Sequence, residues 1–176
     1  MTPVLPTADP ARALLEPFLD MTRVPALLDD PVVALWGRPV RIAACEVAHA
    51  WRRTFAKPEA WRRSHLRVCY RLVLEERDAR YSAFVHGVAT LTDGVTDRGE
   101  STVVRIGGAT LRLRRFPDDD ALPGLAELAM PAHAAVRIAH LFGRTAAAAP
   151  AVDVLRYRPG ERCVLRIDDG EPRFVK

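Results

Sequence analysis

The chain has 176 residues, 49% of them apolar and 27% charged. That composition excludes an intrinsically disordered, collagen-like or coiled-coil chain. The length allows one domain, or one domain and the start of another, with a core that needs neither disulfide nor metal. The net charge is +4, from 26 basic against 22 acidic side chains, and every basic residue but Lys57 and Lys176 is Arg.

The Arg and Ala excess reads first as GC-rich coding. The arginines are scattered and interrupted by acids, which weighs against a nucleic-acid partner. No apolar run reaches the length of a membrane span, so no membrane partner is expected. Met1 to Pro6 lacks a basic start followed by an apolar core, which argues against a signal peptide. The expected compartment is the cytoplasm. Cys45, Cys69 and Cys163 are odd in number, widely spaced and set in apolar stretches, so they read as small buried hydrophobes.

In chain order, residues 9–36 read as helical. Asp9-Pro10 is a cap with proline at the first helical position, followed by Leu14, Leu15, Phe18 and Leu19 at helical spacing. A second short helix holds Val24, Leu27 and Leu28 and is expected to end at Asp30-Pro31. Val32 to Trp36 forms one more apolar turn, and Gly37-Arg38-Pro39 breaks the chain.

From Val40 the pattern becomes extended. Arg41 to Ala50 reads as a strand, and Trp51 to Ser64, with four Arg, one Lys and one Pro, as a long basic hairpin loop or short helix. His65 to Glu75 alternates, with Leu66, Val68, Tyr70, Leu72 and Leu74 on one face and Arg67, Cys69 and Arg71 on the other. Tyr81 to Leu91 is a third strand, and 92–101 a loop. Thr102 to Ile106 and Thr110 to Phe116 make a hairpin around Gly107-Gly108.

Pro117 to Pro123 is an acidic loop. Two short helices follow, Gly124 to Met130 and Pro131 to Gly143, and residues 145–150 look like a linker. Val152 to Arg158 and Arg162 to Asp168 are strands, with turns at Pro159-Gly160 and Asp169-Gly170. Phe174-Val175-Lys176 opens a third strand. Because that strand stops at its third residue, the chain is expected to be the N-terminal part of a longer protein.

The two extended regions echo each other. Each runs strand, turn, Cys-bearing strand, turn, then Phe-Val-basic: Phe84-Val85-His86 in the first and Phe174-Val175-Lys176 in the second. His86 stands where Lys176 stands. Both regions are therefore expected to be three-stranded antiparallel meanders.

The stretch Val154-Leu155-Arg156-Tyr157-Arg158-Pro159-Gly160-Glu161-Arg162-Cys163-Val164-Leu165-Arg166, with Phe174-Val175-Lys176, resembles the opening of a kinase small lobe. It looks like the lobe of bacterial aminoglycoside phosphotransferase-like proteins, a group that includes maltokinase-related enzymes. Upstream, Phe116 to Leu125 is similar to a Phe-Pro-x-Asp-x-x-Leu-Pro-x-Leu stretch that precedes that lobe in some of these proteins.

The resemblance implies that the Pro159-Gly160 turn, flanked by Arg158 and Arg162, covers the phosphates of ATP. It also implies that Lys176 is the phosphate-binding lysine. ATP and Mg2+ are implied as cofactors of the longer protein, and a small-molecule acceptor and a C-terminal kinase lobe as its partners. The hairpin departs from a full glycine-rich loop by holding a single Gly. No His-x-Asp catalytic loop and no later magnesium-binding Asp are present, so no catalytic residue is assigned and the chain alone is not expected to transfer phosphate.

His133 and His140, seven apart on a helix, lack a carboxylate at matching spacing and read as non-metal residues. Asp118, Asp119 and Asp120 read as a solvated acidic loop. The expected fold is α+β: short N-terminal helices, an antiparallel sheet, a helical connector, then the start of a small antiparallel meander. The expected domains are a cap-like region, 1–144, and a partial kinase-like lobe, 145–176. The expected function is the N-terminal part of an ATP-dependent small-molecule phosphotransferase. The rival is a non-enzymatic binding module whose basic segment, Arg52 to Arg67, contacts an acidic partner or nucleic acid.

Overall fold

The computed structural model describes residues 9–53, 55, 60–91, 101–142, 150–168, 170 and 172–176. It is α+β, with a five-stranded antiparallel sheet and a separate three-stranded one. The chain divides into two compact units that meet between Arg114 and Arg115. The helices expected to connect the two sheets fall within the second unit.

In the first unit, α1 (Pro10–Leu15) begins where Asp9 accepts the backbone N–H groups of Ala11 and Arg12 at 3.1 and 3.3 Å. That satisfies two donors an unfinished helix end leaves open. A 3-10 turn, Glu16–Leu19, leads to α2 (Val24–Trp36). Pro31 was expected to end this helix, yet lies inside it. Leu28 and Val32 flank the proline and are both buried, so packing on the sheet outweighs the hydrogen bond that proline cannot donate. Gly37 closes α2 in the left-handed conformation, φ 63°, with its N–H on the carbonyls of Val33 and Ala34.

The strands β1 (Arg41–Arg53), β2 (His65–Glu76), β3 (Ala79–Thr90), β4 (Thr102–Ile106) and β5 (Ala109–Arg115) form the sheet in the order β1-β2-β3-β5-β4. The alternating face of β2 holds as read: Leu66, Val68, Tyr70, Leu72 and Leu74 are buried in one cluster with Leu15, Phe18, Leu28 and Val32. Tyr70 also donates its hydroxyl to the Phe18 carbonyl at 2.6 Å, tying the helical segment to the sheet. Burial holds the Tyr70 phenol far above its ordinary range.

On the opposite face Cys69, Phe84 and His86 are buried as well. Gly87 follows His86 in β3 and turns to the other face, opposite Val68, where a Cβ would meet the Arg112 carbonyl oxygen at 2.0 Å. Only glycine lets β3 and β5 lie this close. β1 continues three residues past its expected end at Ala50, because Trp51, Arg52 and Arg53 pair with Arg67, Leu66 and His65. The basic loop expected from Trp51 therefore starts later and includes a short 3-10 turn, Trp61–Arg63. The loop at 92–100 lies outside the described residues.

The second unit holds α3 (Leu125–Ala129), α4 (Pro131–Phe142), β6 (Ala151–Arg158), β7 (Arg162–Asp168) and β8 (Pro172–Val175), with the sheet in the order β6-β7-β8. Both expected helices and all three expected strands are present. Most of the linker and Asp169 of the second turn lie outside the described residues. Cys163, Leu165 and Ile167 of β7 are buried, alternating with Arg162, Val164 and Arg166. No helix among the described residues is long and apolar enough to cross a membrane.

Candidate functional site

The two stretches that carry the family resemblance meet in the second unit. Pro159-Gly160-Glu161 joins β6 to β7, and Glu161 N–H donates to the Arg158 carbonyl at 3.1 Å. Gly160 has φ 73°, a conformation that favours glycine. Arg158 and Arg162 face each other across the strand ends at this turn. Arg158 reaches Glu161 at only 3.8 Å, and its buried Nε has no hydrogen-bond partner among the described residues. Arg166 Nε in β7 is likewise buried with no hydrogen-bond partner among the described residues, and such a donor is open to water or an anion.

Asp119 is the surprise of the acidic loop. It occupies the Asp of the Phe-Pro-x-Asp pattern and was read as solvated, but it is only 8% exposed. Its Oδ2 accepts the Tyr157 hydroxyl and the Gly160 N–H, both at 2.8 Å, and its Oδ1 accepts Ala121 N–H at 3.0 Å. A buried carboxylate is stable when it is hydrogen-bonded in this way. Phe116 packs edge-on against the same Tyr157 ring, with centroids 5.0 Å apart. The Phe-Pro-x-Asp stretch is thus a clamp on the β6–β7 hairpin. Asp118 and Asp120 remain exposed, as the sequence suggested. Nothing in the sequence separated the three aspartates except that pattern.

The clamp changes what each predicted site residue can do. Gly160 has already given its N–H to Asp119, so that group points at a carboxylate rather than a phosphate. Arg158 and Arg162 keep their guanidinium groups beside the turn. Lys176 follows β8 directly and is exposed. The register that pairs Leu165 with Val175 places β8 beside β7, so the strand carrying Lys176 neighbours the strand carrying Arg162 and Arg166. Lys176 also borders an apolar cavity of about 290 Å³ lined by Leu122, Leu125, Leu128, Cys163, Leu165 and Val175. Burial, and secondarily the Asp119 charge, push the Cys163 thiol up to about 11, so it is a packing group and not a nucleophile at neutral pH.

His133 and His140 are both exposed on α4. No group of three or more His, Cys, Asp or Glu able to hold a metal ion occurs among the described residues. Cys45, Cys69 and Cys163 are free thiols, with Cys69 and Cys163 buried and Cys45 half-buried. No family model, curated protein or solved structure matches the chain.

Proposed function

We propose that the chain is the N-terminal part of an ATP-dependent small-molecule phosphotransferase of the aminoglycoside phosphotransferase-like kind. In this reading the β6–β7–β8 meander holds the nucleotide phosphates. The observation that carries the proposal is the pairing of Arg158 with Arg162 beside a tight turn, with Arg158 Nε buried and without an acceptor among the described residues, in the same meander that leads to Lys176. Guanidinium groups bind phosphate oxygens through paired N–H donors, and a lysine adds a compact charge. Arg158, Arg162 and Lys176 would hold ATP, whereas the role left to Gly160 is conformational. ATP, with its Mg2+, would supply the transferable phosphoryl group. The residues that orient an acceptor and assist its attack lie outside this sequence, which has no His-x-Asp loop.

The test is a titration of the chain with a fluorescent ATP analogue and magnesium. Saturable binding is expected, lost in Lys176→Ala and in Arg158→Ala/Arg162→Ala. No phosphorylated sugar or aminoglycoside should form with the chain alone. Absence of saturation, or binding unaltered in both variants, rejects the reading. In a longer protein that carries the catalytic loop, Lys176→Met should leave the melting temperature in place. It should lower turnover about a hundredfold, the effect of removing one preorganised donor worth roughly 3 kcal/mol. His86→Ala, at the echoed position, should leave turnover unchanged.

A further inference from the structure

The arginines that look scattered in the sequence are gathered by strand pairing. The β1–β2 hairpin places Trp51 opposite Arg67 and Arg53 opposite His65, and the 3-10 turn brings Arg62 and Arg63 to the start of β2. Trp51, Arg52, Arg53, Arg62 and Arg63 are all exposed. Between Glu46 and Glu75 the sequence holds a single acid, Glu59.

The two ends of this hairpin differ in kind. From the middle of the hairpin to its far end the charges are matched: Arg71 on Glu46 at 3.2 Å, Arg41 and Arg80 on Glu75, and Arg38 on Glu76 at 3.0 Å. At the Trp51 end, Arg52, Arg53, Arg63 and Arg67 have no carboxylate partner among the described residues. Two of them lie over rings instead: Arg67 is 5.8 Å from the Trp51 ring centre, and Arg53 is 5.1 Å from that of Phe55. Trp51 itself keeps 43% of its surface exposed, with the His65 ring tilted against it at 5.6 Å.

We propose that the Trp51 end of the β1–β2 hairpin binds single-stranded nucleic acid. Guanidinium groups without carboxylate partners meet backbone phosphates, and the half-exposed indole offers a face on which a base stacks. The indole decides between partners. A duplex keeps its bases stacked inside, and an acidic protein or an anionic lipid surface has no base to place on Trp51; each would use the charge alone. The surface is independent of the nucleotide site proposed in the second unit, and the variants that test the two are different.

The experiment is fluorescence anisotropy of a labelled oligothymidylate titrated with the whole chain. Duplex DNA, polyglutamate and phosphatidylglycerol vesicles serve as competitors. Binding should weaken with salt, with a log–log slope of roughly −3 for four or five phosphate contacts. Arg53→Glu/Arg63→Glu, at exposed positions at the strand end, should weaken binding by more than about tenfold, and Arg52→Glu, opposite Leu66 on the other face, should weaken it less. Trp51→Ala should weaken it by roughly tenfold without altering the salt slope, and Trp51→Phe should recover part of the loss. Circular dichroism of each variant checks that the sheet is intact. No anisotropy change at micromolar protein overturns the proposal. So does oligothymidylate binding that is indifferent to Trp51→Ala, or that polyglutamate or vesicles displace as well as unlabelled oligothymidylate does. Those results would leave a general polyanion surface.

Discussion

The two meanders share a register and differ in what covers them. In the first, Arg71 pairs with Phe84 and Tyr70 with Val85; in the second, Arg166 pairs with Phe174 and Leu165 with Val175. The echo read in the sequence is therefore also an echo in strand pairing. It fails in burial. Phe84 is 8% exposed beneath the Arg71 guanidinium, 5.3 Å away, whereas Phe174 is 68% exposed. His86 is buried where Lys176 is open. β3 has a second neighbour in β5, while β8 pairs with β7. Equivalent local patterns thus make the same ladder, and what packs against it settles whether the ladder becomes a core.

The sharpest way to break the comparison is at its closest packing. Gly87→Ala puts a methyl into the Arg112 carbonyl, a backbone atom that cannot swing aside. A loss of about 4 kcal/mol is expected, from overpacking joined to strand separation, and chemical denaturation measures it. An unchanged midpoint would mean that β3 and β5 lie further apart than described. Next in size is the paired test on the two phenylalanines. Phe84→Ala should cost about 3 kcal/mol, and Phe174→Ala less than about 0.5 kcal/mol. Equal losses would erase the distinction between the meanders.

A smaller effect separates the devices that hold each unit together. Asp119→Ala leaves the Tyr157 hydroxyl and the Gly160 N–H without their acceptor, at about 2 kcal/mol. Tyr70→Phe removes one hydrogen bond to a neutral carbonyl, at about 1 kcal/mol. The reverse order would show that Asp119 is replaceable by water. The smallest effect is alkaline. Burial pushes Cys45 and Cys163 up to about 11 from an ordinary value of 9.0. Their contribution is intact while the unfolded thiols stay protonated, and it is lost as pH rises from about 9 towards 11. A slight decline in the melting temperature over that window checks it. Cys163 alkylation at pH 8 should also accelerate in Asp119→Ala, which removes the nearby negative charge.

Much of the fold was legible in the sequence because its causes are local. The alternation along β2, the Gly107-Gly108 and Pro159-Gly160 turns and the Asp9 cap each depend on residues a few positions apart. Pro31 misled for the same reason: a local rule for proline says nothing about how firmly Leu28 and Val32 are held by a distant sheet. The candidate site was legible only in part. Arg158, Arg162 and Lys176 were named from a resemblance, and strand pairing sets Arg158 opposite Arg162.

Sequence alone determined which segments are extended, where they turn and which faces are apolar, because steric preference and alternation act over a few residues. Tertiary structure decided which of three adjacent aspartates is buried, since only Asp119 meets Tyr157 and Gly160 across some forty residues of chain. It also decided that Arg52, Arg53, Arg63 and Arg67 share one end of a hairpin while their counterparts from its middle to the other end are ion-paired. Charge and hydrogen-bonding capacity are written in the residue types. Which groups find partners depends on the register of strands far apart in sequence, and that is set only when the apolar faces have packed.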